Sequence, residues 1–138
     1  MTDVGFVRII TQAYVPFLEP LGFRLEKPVI SGRFYAVEFT GSSFAISVSY
    51  EPGDEALFVF VFTRRDGQLS NIDDPLQTPR LTHLNKRYMH TVTPEEYARA
   101  EREFGSVLAT DEMERQLVKY AKELFLVLPK YLDDRASG

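Results

Sequence analysis

The chain has 138 residues, a formal net charge of −4 at neutral pH, and no cysteine. This length fits a single domain, 1–138, and a content of 44% hydrophobic and 13% aromatic residues excludes intrinsic disorder. The absence of cysteine excludes disulfides and thiolate metal sites, and it favours a cytoplasmic protein. No secretory signal is recognisable, and no stretch approaches the ~18 apolar residues that a membrane span requires.

Residues 4–21 are predicted to form a helix. Apolar side chains recur at three- and four-residue steps on one face: Phe6, Ile10, Ala13, Tyr14, Phe17 and Leu21. Asp3 is the predicted N-cap, and Gly22 is the predicted left-handed residue that ends the helix. Pro16 and Pro20 each lack an amide donor, so the last turns are expected to be kinked or loosened.

After this helix the hydrophobic period changes to two, which indicates strands with one buried face. The segment "FAISVSY" is the clearest example, because every second residue is large and apolar. Short turn-forming stretches favour hairpins, and Asp66-Gly67 favours a tight turn before the last strand. The sequence therefore predicts a sheet over residues 22–72, with strands near 22–30, 33–40, 43–51, 56–64 and a short edge strand at 68–72.

The part of the chain from residue 80 to residue 128 is predicted to be helical. Leucines and a tyrosine at helical spacing favour a first helix shortly after residue 80. In the segment "TPEEYARAEREF", Thr93 and Glu96 make a capping box, and Pro94 falls at the first helical position. These signals predict a second helix that begins at Pro94.

A long third helix is predicted to begin after its N-cap Asp111 and to end before Pro129. The tail 133–138 is expected to fray. The order of helix, sheet and helices predicts an α+β fold. We expect an antiparallel meander of four to five strands, with the N-terminal helix and two or three C-terminal helices packed on it.

The stretch "LFVFVF", residues 57–62, is apolar on both faces of its predicted strand. One face carries Phe58, Phe60 and Phe62, and the other carries leucine and valine. One interpretation is that helices cover both faces, with helix 111–128 folding over the phenylalanines, or that the sheet curls around them. The other is that the three side chains form an interaction surface for a partner protein or for a second copy of the chain, as in a homodimer.

No catalytic motif is present in the sequence. A thiol nucleophile is impossible, and His83 and His90 are the two imidazoles. The serines of "TGSSFA" lack the context of a hydrolase elbow, and the glycines make neither a phosphate loop nor a dinucleotide fingerprint. Asp73 and Asp74 are adjacent and lack the ligand spacing of a calcium loop. We therefore expect no catalytic residue, cofactor or metal, although an enzyme with carboxylate or tyrosine chemistry stays open as an alternative.

A group of basic residues follows the sheet. Arg80, His83 and Arg87 would share one face of the predicted helix, over two helical turns. Protonation of the imidazole near its usual pKa of about 6.5 would add to the positive charge. The group is either a small anion-binding patch or a solvated basic face of the helix.

The excess of negative charge lies in one region of the chain. Glu51, Asp54 and Glu55 belong to a predicted hairpin tip, and Asp73 and Asp74 belong to the loop after the sheet. We expect these acids to form a rim that attracts a basic protein partner. A general nucleic-acid binder would instead show a net basic footprint.

The helix that runs into "PFLEPLGFRLEK" and the strand pair in "AISVSYEPGDEALFVFVF" resemble small uncharacterised bacterial α+β proteins. Some members of that group are immunity proteins of polymorphic toxin systems. The resemblance covers residues 4–75 and brings no catalytic residue to this chain. It implies a non-enzymatic protein-binding domain. The alternative function is a small-ligand or anion-binding domain with a pocket between sheet and helices.

Overall fold

The computed structural model describes residues 1–137 and contains an open antiparallel sheet with helices packed on it. The strands follow the order β1–β3–β4–β5–β6, and β2 pairs with the same edge of β3 as β1 does. The predicted α+β architecture and antiparallel meander are confirmed. The strands are β1 (Arg24–Leu25), β2 (Val29–Ile30), β3 (Tyr35–Thr40), β4 (Phe44–Glu51), β5 (Ala56–Arg65) and β6 (Gln68–Leu69).

The first predicted strand, 22–30, is divided into β1 and β2 in the structure. Pro28 lies between them and has no amide to donate to a strand ladder, so pairing with β3 is interrupted there. The tight turn between β5 and β6 is confirmed. Asp66 and Gly67 have φ angles of 53° and 76°, which are typical of a type I′ hairpin turn.

The N-terminal helix consists of three consecutive segments: α1 (Asp3–Ile9), a π-helical turn (Ile10–Tyr14) and α2 (Val15–Leu18). The N–H of Val15 bonds to the carbonyl of Ile10, five residues earlier. The following residue, Pro16, offers no amide, which agrees with the predicted loosening of this helix. Gly22 has a φ of 95° and lies just beyond the helix, as predicted.

The prediction of Asp3 as N-cap is wrong by one residue. Thr2 is the cap, because its Oγ1 accepts a hydrogen bond of 3.0 Å from the N–H of Gly5. Asp3 instead occupies the first helical turn, where its negative charge is favourable. Both side chains can cap a helix, and local sequence does not distinguish them.

The C-terminal helices are α3 (Leu81–Tyr88), followed by a short 3₁₀ turn (Met89–Thr91), then α4 (Pro94–Phe104) and α5 (Glu112–Ser137). The capping box of α4 is confirmed. The N–H of Glu96 donates to Thr93 Oγ1 at 3.2 Å, and the N–H of Thr93 donates to Glu96 Oε1 at 3.0 Å. Asp111 also acts as predicted, since its Oδ1 accepts a 2.8 Å bond from the N–H of Glu114.

The predicted end of the last helix at residue 128 is wrong. Helix α5 continues through Pro129 to Ser137, and the predicted frayed tail is helical over residues 133–137, while Gly138 lies outside the described residues. Tyr131 is 2% exposed and packs edge-on against Phe44, with ring centroids 5.8 Å apart. Burial of the segment after the proline offsets the helical hydrogen bond that the proline removes.

The hydrophobic core lies between the helices and one face of the sheet. The core residues contributed by the three long strands are Val37, Phe39, Ile46, Val48, Tyr50, Val59 and Val61. Helix α5 packs against α1, α3 and α4. Within residues 1–137 no helix combines the length and the apolar character needed to cross a membrane.

Candidate functional site

The three phenylalanines of β5 lie on the sheet face that points away from the core. Directly opposite residues of paired strands share a face, and Phe58, Phe60 and Phe62 stand opposite small residues of β4. Among the described residues, the core cluster includes the intervening valines and none of these three phenylalanines. We call this side of the sheet the outer face.

On the outer face, large side chains of β5 stand beside smaller side chains of the middle strands. Phe58 stands opposite Ser49 of β4, which stands opposite Ala36 of β3, and Ala36 stands opposite Val29 of β2. Val29 is 57% exposed. Because the middle strands carry serine and alanine, the phenylalanines form a ridge beside a shallow trough. Glu38 is the one carboxylate of β3 on this face.

The phenylalanine ridge is packed within itself and partly covered. Ring centroids are 6.4 Å apart for Phe58 and Phe60 and 6.1 Å apart for Phe60 and Phe62. Phe60 is 7% exposed, because the guanidinium of Arg80 lies 5.2 Å from its ring centroid. Arg80 is placed there by a backbone bond from Val61 N–H to Pro79 O, 3.0 Å, beside β5. Phe58 and Phe62 stay half-buried and form the accessible part of the ridge.

Helix α5 approaches the edge of the ridge without directing its phenylalanine towards it, since Tyr120 and Glu123 line a pocket together with Phe58 and Phe60. Phe125 of α5 packs edge-on against Phe17 and Phe104, with ring centroids 5.7 Å and 5.5 Å apart. These contacts belong to the helical layer, on the other side of the sheet. Phe125 is half-buried among these aromatic partners.

The acidic residues predicted to form one rim lie at two ends of β5. Glu51, Asp54 and Glu55 surround the β4–β5 turn, next to the start of β5. Asp73 and Asp74 follow β6, beside the end of β5. Ala56 adjoins the hairpin acids, and Thr63 lines a pocket together with Asp74. These two positions of β5 are seven residue steps apart, which corresponds to about 23 Å of extended strand. The hairpin acids therefore form a surface of their own, which we call the acidic tip.

The three residues proposed for anion binding are not brought together. Arg80 lies over the phenylalanine ridge, and His83 uses Nδ1 to accept a 3.4 Å bond from the Arg80 backbone N–H. Arg87 lies at the other end of α3 and faces a separate cleft. That cleft is also lined by Arg64, Arg65 and Arg135, which sequence reasoning missed. The adjacent pair Arg64 and Arg65 at the end of a strand was a signal in the sequence for a basic site. Arg135 could not be added to it, because the tail that carries this residue was expected to fray.

No arrangement typical of catalysis is found in the described part of the chain. No three His, Asp or Glu side chains within residues 1–137 come together in a group that could hold a metal ion. The Tyr88 hydroxyl donates a 2.7 Å hydrogen bond to Asp134. Burial and this bond raise the pKa of Tyr88 to about 12, so the phenol is protonated at neutral pH and is a poor base.

Comparisons with models of protein families, with curated proteins and with solved structures gave no match to this chain.

Proposed function

We propose that the chain is a non-enzymatic protein-binding domain and that the outer face of the sheet is its docking surface. The observation that carries this proposal is the phenylalanine ridge on a face whose residues lie outside the main core cluster. Aromatic side chains at accessible surfaces are enriched at protein interfaces, because they bury much area with few rotatable bonds. The trough beside the ridge offers room for side chains of a partner.

The charges around the ridge indicate a basic partner. The acidic tip adjoins the Phe58 end of the ridge, and Glu38 lies across the trough from it. A partner with apolar side chains for the ridge and lysine or arginine for these carboxylates would match both features. Complementary charge of this kind speeds association and fixes orientation. The resemblance to immunity proteins supports the same class of partner, a basic toxin domain.

The size of the sheet face requires that the acidic tip take part. Three strands about 4.8 Å apart and eight residues long cover roughly 400 Å². A standard interface buries about 800 Å² on each partner. We therefore place the docking surface across both the outer face of β3–β5 and the acidic tip, which is continuous with it.

A photo-crosslinking amino acid placed in the trough tests this proposal. The Ser47→p-benzoylphenylalanine variant presents the group on the outer face, and the matched Ser106→p-benzoylphenylalanine variant presents it in the exposed loop before α5. In native cells, we expect the Ser47 variant alone to capture a basic protein. That protein, once purified, should bind the wild type with a Kd near or below about 1 μM. Phe62→Ser should weaken this binding at least about tenfold.

Three outcomes would contradict the proposal. Identical products from both crosslinking positions would show that the outer face is not a specific surface. Products that contain two copies of this chain would replace the basic partner with a homodimer. Unchanged affinity of the Phe62→Ser variant for the purified partner would remove the ridge from the interface.

A further inference from the structure

A second surface lies at the end of the sheet remote from the acidic tip. We propose that the cleft between the end of β5, the last turn of α3 and the last turns of α5 binds a small molecule through a phosphate or polyphosphate group. Its volume is about 670 Å³. The cationic side chains that line it are Arg64, Arg65, Arg87 and Arg135. We call it the arginine cleft.

Three separate segments supply the arginines of the arginine cleft. Strand β5 supplies two consecutive arginines, α3 supplies Arg87, and α5 supplies Arg135 beyond its internal proline. Burial raises the pKa of the Tyr131 phenol, and both Arg135 and Arg87 oppose that rise. The two guanidinium groups therefore lie within electrostatic range of one ring, although they come from different helices. The last turns of α5 are thus part of the wall of the cleft.

The positive charge of the cleft is not neutralised by the protein. Asp134 is the one acidic residue among its lining residues, and it accepts the hydrogen bond from Tyr88. Within residues 1–137 none of the four arginines has a carboxylate oxygen within 4.0 Å. Four arginines and one aspartate among the lining residues give an excess of positive charge, which a bound anion would relieve.

The hydrogen bonds that the arginines make leave most of their donors available. Arg64 donates to the carbonyl of Gly41 at 2.6 Å, and Arg135 donates to Gln77 Oε1 at 3.2 Å. Both acceptors are neutral. Each guanidinium has five N–H donors in a planar fork. These bonds orient the two side chains while leaving N–H groups for a ligand.

The chemistry of the cleft favours a phosphate group over other anions. Guanidinium forks match the oxygens of phosphate two at a time, and several forks suit a diphosphate or triphosphate. The volume lies in the range of small-molecule pockets, roughly 300–1,000 Å³. Phe44 and Leu132 add apolar surface to the lining, which suits the organic part of a phosphate ester. The net charge of −4 opposes an extended nucleic acid as the ligand.

Calorimetric titration with inorganic pyrophosphate and with ADP tests the assignment. We expect both to bind the wild type with a Kd below about 1 mM. The Arg65→Gln and Arg87→Gln variants should each weaken binding about tenfold, because each loses charge-assisted hydrogen bonds. The matched control is Arg33→Gln, which removes the same charge from the exposed β2–β3 turn near the acidic tip, and it should bind like the wild type.

The two probes distinguish the sources of the phosphate group. Tighter binding of ADP than of pyrophosphate would assign an organic phosphate ester, and equal binding would assign the phosphate group alone. Absence of binding by both, or equal weakening by Arg33→Gln, would overturn the proposal. So would a single-stranded RNA oligonucleotide that binds more tightly than ADP. Circular dichroism of each variant, unchanged from the wild type, shows that the loss is not caused by unfolding.

Discussion

The guanidinium of Arg8 forms an ion pair with the carboxylate of Glu114, 106 positions later in the sequence. Glu114 is 4% exposed. The same carboxylate oxygen accepts a 3.1 Å bond from the N–H of Thr110, and Arg8 also donates to the carbonyl of Leu108 at 2.7 Å. The pair therefore connects α1, the loop before α5 and the first turn of α5.

Removal of this carboxylate should destabilise the fold. Glu114→Ala leaves the Arg8 guanidinium without its carboxylate partner and the Thr110 amide without its acceptor, so we expect the free energy of unfolding to fall by about 3 kcal/mol. Urea denaturation at neutral pH measures the change. The control is Glu112→Ala, which breaks an exposed pair with Arg115 and should cost less than about 1 kcal/mol. Equal effects of the two variants would show that the buried pair stabilises the fold no more than the exposed pair does.

The N-cap of α5 should make a contribution to the free energy of unfolding that depends on pH. Asp111→Ala should lower the free energy of unfolding by about 1 kcal/mol at pH 7. The bond from the Glu114 N–H lowers the pKa of Asp111 in the folded state. Because the pKa of Asp111 is lower in the folded state than in the unfolded chain, where it is about 3.9, the ionised carboxylate stabilises the fold at a pH above that unfolded value. This contribution is lost as the pH falls through the folded-state pKa.

The isosteric variant Asp111→Asn separates capping from titration. Asparagine is also a good N-cap, so its cost at pH 7 should be smaller than that of alanine. Asparagine has no carboxylate to take up a proton, so the stability of this variant should decrease less than that of the wild type as the pH is lowered below about 4. Parallel pH profiles for the wild type and Asp111→Asn would contradict the assigned pKa direction.

Neighbouring residues of β5 should differ sharply in their contribution to stability. Val61 is buried in the core, and Phe62 lies on the outer face. We expect Val61→Ser to lower the free energy of unfolding by about 3 kcal/mol, because it leaves a cavity and a buried hydroxyl. Phe62→Ser should cost about 1 kcal/mol. Chemical denaturation compares them, and equal costs would mean that the outer face belongs to the core.

Substitution of the proline inside α5 should stabilise the protein. Pro129 cannot donate to the carbonyl of Phe125, and an internal proline disfavours a helix by about 3 kcal/mol relative to alanine. Pro129 also contributes to the apolar surface near Phe17, so we expect a net gain of about 1 kcal/mol for Pro129→Ala. Pro94→Ala is the matched control, because proline at the first helical position costs little. A lower melting temperature for Pro129→Ala would show that the ring is needed for packing.

Local signals in the sequence predicted much of the fold. The capping box at Thr93, the cap at Asp111 and the turn at Asp66-Gly67 involve residues close in the sequence, so their chemistry can be read without tertiary contacts. The course of α5 after Pro129 could not be predicted in this way. It depends on burial of Tyr131 against Phe44, a contact between residues from opposite parts of the chain.

The candidate sites follow the same rule. The phenylalanine ridge was predictable, because strand alternation places every second residue on one face. The arginine cleft was not, since it joins the end of β5 to two helices. The prediction of a single acidic rim was wrong for the opposite reason. Its two groups are near in sequence, but an extended strand carries them about 23 Å apart.

The charges at both ends of β5 affect how readily the incompletely folded chain aggregates. Asp54 and Glu55 precede its apolar run, and Arg64 and Arg65 follow it. An uncharged segment of this kind, rich in valine and phenylalanine, can stack into fibrils, but flanking charges would then repeat every ~4.8 Å and repel each other. The two arginines thus protect the nascent chain as well as lining a cleft. Neutralising both should lower the concentration at which refolding gives way to fibrils, as thioflavin fluorescence would report.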